Sequence, residues 1–123
     1  MIKFRDIKTV AILGAGFIGF SWAIVFARKG IAVNLYNRKG KSLDAALSII
    51  KENLEFLKEE GAIEAATVEK SLKLIKMFDD LELAVKDADY IQEALPEDLE
   101  LKQNVFARLD EILPADVIIG SSC

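Results

Sequence analysis

Residues 9–19 decide the fold: Thr9-Val10-Ala11-Ile12-Leu13-Gly14-Ala15-Gly16-Phe17-Ile18-Gly19. The first five are β-branched or apolar with no polar alternation, the pattern of a strand buried on both faces. Glycines then interrupt the run at 14, 16 and 19. Residues 17–29 are good helix formers, with Ile18, Trp22, Val25 and Phe26 on one stripe and Gly30 as a C-terminal stop. Ala32-Val33-Asn34-Leu35-Tyr36 reads as a second strand. Strand, glycine turn, helix and strand together span about 30 residues, the size of one βαβ unit.

The same alternation continues outward. A polar, basic connection, residues 37–41, leads to Ser42, a plausible N-cap. Leu43, Ala46, Leu47, Ile50, Leu54 and Leu57 then recur at helical spacing up to Gly61. Residues 62–72 read as helix, 74–77 as a short strand, 81–85 as one helical turn and 89–93 as a strand running into a carboxylate-rich loop. Pro96 precedes a helix with Leu99, Val105, Phe106, Leu109 and Ile112 facing inward, and Pro114 closes it. Val117-Ile118-Ile119 is the last strand. Strands alternating with helices require a parallel sheet with right-handed crossovers. The class is α/β.

Composition narrows the chemistry. A length of 123 residues is one domain or part of one, at roughly 100–200 residues per domain. With no histidine, the chain alone can build no Ser-His-Asp triad, no Cys-His pair and no histidine-ligated zinc site. The single cysteine, Cys123, can form no internal disulfide, which suits a reducing compartment. The apolar run near the N-terminus is broken by glycines far short of the ~20 residues of a membrane span, so the expected location is the cytoplasm. Charge is uneven: residues 1–41 hold eight Lys and Arg against one Asp, and residues 42–123 hold eight against nineteen Asp and Glu. An acidic chain with a basic first third is a poor nucleic-acid binder, but a bound phosphate would explain that basic third.

Gly14-Ala15-Gly16-Phe17-Ile18-Gly19 matches G-x-G-x-x-G in the strand-to-helix context that gives the pattern its meaning. Gly14 permits the tight turn, Gly16 lets backbone approach a pyrophosphate, and Gly19 lets the helix pack closely. The N–H groups and dipole of the helix start favour an anion. The acidic residue that would read the adenine ribose of NAD belongs about 20 residues beyond the glycines. Eighteen residues after Gly19 stands Asn37. Asn37 removes the repulsion an acid would exert on a 2′-phosphate, and Arg38, Lys39 and Lys41 supply cations there. Both NAD and NADP remain open on these residues.

The glycine turn and its helix resemble the NAD-binding domain of the 3-hydroxyacyl-CoA dehydrogenase family. Gly19-Phe20-Ser21-Trp22-Ala23, and above all Tyr90-Ile91-Gln92-Glu93-Ala94-Leu95-Pro96-Glu97-Asp98-Leu99-Glu100-Leu101-Lys102, look most like its lambda-crystallin branch, whose members act as L-gulonate 3-dehydrogenases. The resemblance runs from about residue 8 to residue 123. It implies that Gly14, Gly16 and Gly19 hold the pyrophosphate, with Phe17 and Ile18 in the same turn. It places Asn37 where the family has a ribose-binding Asp, and Glu97 and Lys102 against the nicotinamide half. It also implies that the catalytic serine and histidine and a helical, dimer-forming second domain lie beyond Cys123. Residues 1–123 are therefore expected to be an N-terminal dinucleotide-binding domain, none of them the catalytic base. The implied fold is a doubly wound, mostly parallel Rossmann sheet with strand order 3-2-1-4-5 over the part present, incomplete at its C-terminal end.

The acyl-CoA members carry serine and lysine contacts to CoA on the helical hairpin after the second strand. The matching places here hold Asn53 and Glu60, among Glu52, Glu55 and Glu59. An acidic patch seats a polyphosphate poorly, so the resemblance leans toward a small hydroxy acid. A 3-hydroxybutyryl-CoA dehydrogenase is the alternative, and a dinucleotide-binding or structural protein without catalysis is the third reading.

Overall fold

The computed structural model describes residues 7–14, 16–37, 43–95, 98–114 and 117–121. Within them the elements run β1 (Thr9–Leu13), α1 (Phe17–Arg28), β2 (Ala32–Tyr36), α2 (Leu43–Glu59), α3 (Ala65–Leu74), β3 (Ile75–Phe78), α4 (Leu81–Val85), β4 (Tyr90–Glu93), α5 (Leu99–Ile112) and β5 (Ile118–Ser121). All strand pairs are parallel and the order is β3-β2-β1-β4-β5. The predicted class and order are found. The winding reverses beside β1, so the crevice between β1 and β4 is the topological switch point where open α/β sheets bind ligands.

Strand alternation divides the interior in two. Val10 and Ile12 of β1 point into one core with Val33, Leu35 and Ile75 of the sheet and residues of α1, α2 and α3. Ala11 and Leu13 point the other way, into a core shared with Val85, Ile91, Val105 and Leu109. A strand covered on both faces has no place for polar residues, which is why β1 reads as an unbroken apolar run. Backbone bonds close the C-terminal end of α1: the Gly30 N–H donates to the Ala27 carbonyl (3.0 Å) and the Ile31 N–H to the Phe26 carbonyl (3.1 Å). Gly30 takes φ +84°, the left-handed turn that ends helices at glycine.

Three inward faces differ from expectation. On α1, Ile18 (48% exposed) and Val25 face out, while Phe20, Ala23, Ile24 and Ala27 are buried with Phe26. This helix is apolar nearly all round, so periodicity carried little information. The face that packs holds small residues, which let the helix axis come close to the sheet. On α5, Leu99 is 73% exposed, and Val105 and Leu109 are the buried pair. Leu99 opens the helix immediately after the Asp98 cap, where the first turn has not yet reached the core. On α2, Leu47 is exposed and Ala46, Ile50 and Leu54 carry the burial. Three strands also begin one residue later than expected: Leu74 ends α3, so β3 begins at Ile75, β4 begins at Tyr90, and β5 begins at Ile118.

Tyr90 and Gly120 depend on each other. Their strands pair with Gln92 opposite Gly120, and a side chain at Gly120 would collide with the Tyr90 hydroxyl. That hydroxyl donates to Oε1 of buried Gln92 (2.8 Å). Burial pushes the Tyr90 phenol above its ordinary value. A group with a raised folded-state pKa adds stability in full below the unfolded value of about 10, and loses it as pH rises through the folded value. Tyr90→Phe is expected to cost about 1 kcal/mol at neutral pH. The difference from wild type should shrink above pH ~10 in urea denaturation carried out across pH.

Candidate functional site at the carboxyl end of the sheet

Three backbone bonds tie together the loops that leave β1, β2 and β4. The Gly14 N–H donates to the Tyr36 carbonyl (2.8 Å), the Asn37 N–H to the Phe78 carbonyl (3.0 Å), and the Ala94 N–H to the Leu13 carbonyl (2.8 Å). The sheet ladder is thereby carried one residue past each strand. Gly14, Asn37 and the turn at Ala94 become a fixed rim around the switch point.

The glycines of this rim do different work. Gly14 is buried at φ +111°, and a side chain there would run into the Ala94 carbonyl and the Leu95 backbone. Gly19 sits with its α-carbon against the Gly14 carbonyl, where any side chain would overlap that oxygen, and Ile12 lies just beyond. Gly16 is exposed, and among the described residues, its chain neighbours aside, a Cβ there would meet no atom within 4 Å. Two glycines thus serve packing, and the third leaves open space at the mouth of α1.

The start of α1 contrasts with those of α4 and α5. Asp80 caps α4 through the Leu83 N–H (3.1 Å) and Asp98 caps α5 through the Leu101 N–H (3.1 Å), each with a glutamate in the first turn. At α1 the cap is Gly16, no side chain caps it, and the first turn holds no acid; α3 shares both features, but of the two only α1 opens directly from a strand at the switch point. N–H groups without a side-chain cap, and a dipole with no acid in the first turn, suit an anionic ligand. The open space at Gly16 fits the approach of a pyrophosphate to backbone, so the residues present suit a dinucleotide.

The sequence-predicted residues gather unevenly around this rim. Gly14, Gly16, Phe17, Ile18 and Gly19 form the β1–α1 turn and the first turn of α1, with the Ile18 side chain exposed. Asn37 is half-buried one residue past β2. Lys102 lies on α5, and its N–H donates to the Asp98 carbonyl at the start of that helix (3.0 Å). Arg38 and Glu97 lie outside the described residues. One residue was missed by sequence reasoning. Glu93, the last residue of β4, is 2% exposed and accepts from the Leu95 N–H (2.6 Å). Its other oxygen stands 3.6 Å from the Lys102 ammonium, itself only 16% exposed. The available signal was a carboxylate at an inward position of a central strand, immediately before the loop.

A parallel sheet reversing beside β1, with a glycine turn feeding a helix start at the switch point, defines an NAD-binding Rossmann domain. Residues 9–123 match the family model for the 3-hydroxyacyl-CoA dehydrogenase NAD-binding domain, and the chain belongs to that family. A lambda-crystallin homolog from Homo sapiens is 41% identical over 114 residues, covering 92% of this chain and 36% of that protein. An L-carnitine dehydrogenase from Streptomyces coelicolor is 32% identical over 118 residues, covering 96% of this chain and again 36% of the relative. Among solved structures, Escherichia coli 3-hydroxybutyryl-CoA dehydrogenase superposes with a TM-score of 0.87 at 32% identity, over 95% of this chain and 25% of its own. A diketoreductase gives a TM-score of 0.85 at 37% identity, over 94% of this chain and 41% of its own. The chain therefore spans little more than a third of the length of the curated relatives it matches. Among the described residues, no helix is long and apolar enough to cross a membrane.

Proposed function

We propose that the chain is the cofactor-binding domain of an NAD(P)-dependent 3-hydroxyacid dehydrogenase, and that its first substrate class is a small hydroxy acid such as L-gulonate. The observation that carries the reading is the uncapped start of α1, set over open space at Gly16 and beside the switch point. Gly14, Gly16 and Gly19 shape the turn whose N–H groups hold the pyrophosphate, with Phe17 and Ile18 within it. Asn37 and Arg38 are assigned to reading the adenine ribose, and Glu97 and Lys102 to the nicotinamide side. The bound cofactor supplies hydride acceptance and donation. The chain's own residues bind and orient it. Residues 1–123 hold no histidine and are expected, by themselves, to bind cofactor without turnover.

The lean toward a hydroxy acid rests on α2 and on the lambda-crystallin homologs among the relatives. Glu52, Glu55 and Glu59 line an open depression on α2 with Ser48, Lys51 and Phe56. Lys58 is hydrogen-bonded to Glu55 (2.6 Å), which holds its ammonium above the ordinary lysine value. One cation is thus committed locally, and the face offers a polyphosphate little attraction. The likeness to 3-hydroxybutyryl-CoA dehydrogenase favours the second reading, an acyl-CoA substrate. A protein carrying this domain together with a catalytic domain should oxidise L-gulonate. Reduction of acetoacetyl-CoA without activity on L-gulonate would reverse the assignment.

Asn37 and Arg38 support acceptance of NADP as well as NAD. Arg38→Ala should weaken NADPH binding about fivefold and leave NADH within twofold, the size of one exposed charge-assisted contact. Equal loss for both cofactors, measured by calorimetry, would remove the phosphate role.

A further inference from the structure

The second core is apolar almost throughout: Ala11, Leu13, Val85, Ile91, Val105 and Leu109, with Leu95 and Leu101 against it. Glu93 enters that side of the sheet, because it pairs with Leu13 in register and shares its face. Its carboxylate is among the most buried groups of the molecule. Burying a charge costs several kcal/mol, which an apolar pair of the same volume would avoid, so packing does not account for it. Its position does suggest a role. Glu93 ends β4 at the switch point. One carboxylate oxygen holds the Leu95 N–H of the turn that lies on Gly14, and the other faces the Lys102 ammonium. A single side chain thus links the glycine turn, the β4–α5 loop and the first turns of α5.

We propose that Glu93 is a positioning residue for cofactor recognition. It anchors the Lys102 ammonium and the turn after β4, so that the nicotinamide side of the dinucleotide meets a preset cation and a rigid rim. The inference rests on the dinucleotide-binding reading above. Its energetic content is preorganisation: the carboxylate restricts a flexible lysine before the ligand arrives.

The test is a double-mutant cycle read with two probes, NADH and ADP, on the intact chain. ADP occupies the adenosine and pyrophosphate part and does not reach the nicotinamide side. Glu93→Gln should raise the Kd for NADH about tenfold while ADP stays within twofold. In a Lys102→Met background, Glu93→Gln should add less than a further twofold, because two residues acting as one unit are not additive. Lys102→Arg should restore most of the NADH affinity that Lys102→Met loses. Unchanged NADH binding in folded Glu93→Gln, or equal loss for NADH and ADP, overturns the positioning role. If Glu93→Gln fails to fold by circular dichroism, Glu93→Asp, whose shorter side chain draws the carboxylate away from Lys102, decides: NADH-selective loss supports the role, and wild-type NADH binding overturns it. A wild-type chain that binds neither probe overturns the dinucleotide reading itself, a result distinct from the others.

Discussion

Gly19→Ala should cost about 3 kcal/mol of unfolding free energy, the upper end of what inserting a methyl into packed structure causes, and should abolish dinucleotide binding. The new Cβ would overlap the carbonyl oxygen of Gly14, a residue whose N–H is held by the Tyr36 carbonyl at 2.8 Å. It has no rotamer by which to escape. Either the turn opens or α1 moves away from β1, and each displaces the N–H groups at the head of the helix. Gly16→Ala is the matched control. Its backbone lies at φ −97° and its Cβ would meet no other part of the described residues, so stability should stay within about 0.5 kcal/mol of wild type. Its NADH affinity should nevertheless fall, because the methyl occupies the space assigned to the pyrophosphate. Urea denaturation and calorimetry on the two variants separate packing from ligand contact. Undiminished NADH binding by Gly16→Ala would move the pyrophosphate elsewhere.

Leu109→Ala should be as damaging by a different route. Leu109 is fully buried, and with Val105 it forms the buried anchor of α5. Truncating such a leucine removes its transfer energy and leaves a cavity, at a cost of about 2–5 kcal/mol. Domains of this size are stable by only about 5–15 kcal/mol. Loosening α5 also frees Lys102 from Glu93, so NADH affinity should fall with the melting midpoint. Leu99→Ala, on the same helix but largely exposed, should change stability by less than about 0.5 kcal/mol. Equal losses at Leu99 and Leu109 in denaturant titrations would contradict the observed face of α5.

The strands and their order were legible because β1 and β2 are short, apolar and bounded by glycine or polar turns, and because parallel strands need helical crossovers. Ala32–Tyr36 and Thr9–Leu13 carry the same bounds in sequence and in structure. The face of α1 was not legible, since a helix apolar on most sides has no preferred stripe. Tertiary contact chose the face of Gly19, Ala23 and Ala27, where small side chains allow close approach. The glycine turn was legible as a motif. The division of labour among its members emerges only in three dimensions, where a side chain at Gly14 or Gly19 would strike backbone and one at Gly16 would enter open space. Glu93 was hidden for a related reason. In sequence it is one more acid in an acidic stretch, and only the register with Leu13 turns it inward.

If these 123 residues fold into a dinucleotide-binding unit, calorimetric titration of the chain with NADH and, separately, with NADPH will register it. Saturable binding of at least one of them at a single site is expected, lost in Gly19→Ala and weakened in Gly16→Ala. A folded chain that gives no binding heat and no displacement of either cofactor at millimolar concentration would contradict the dinucleotide reading.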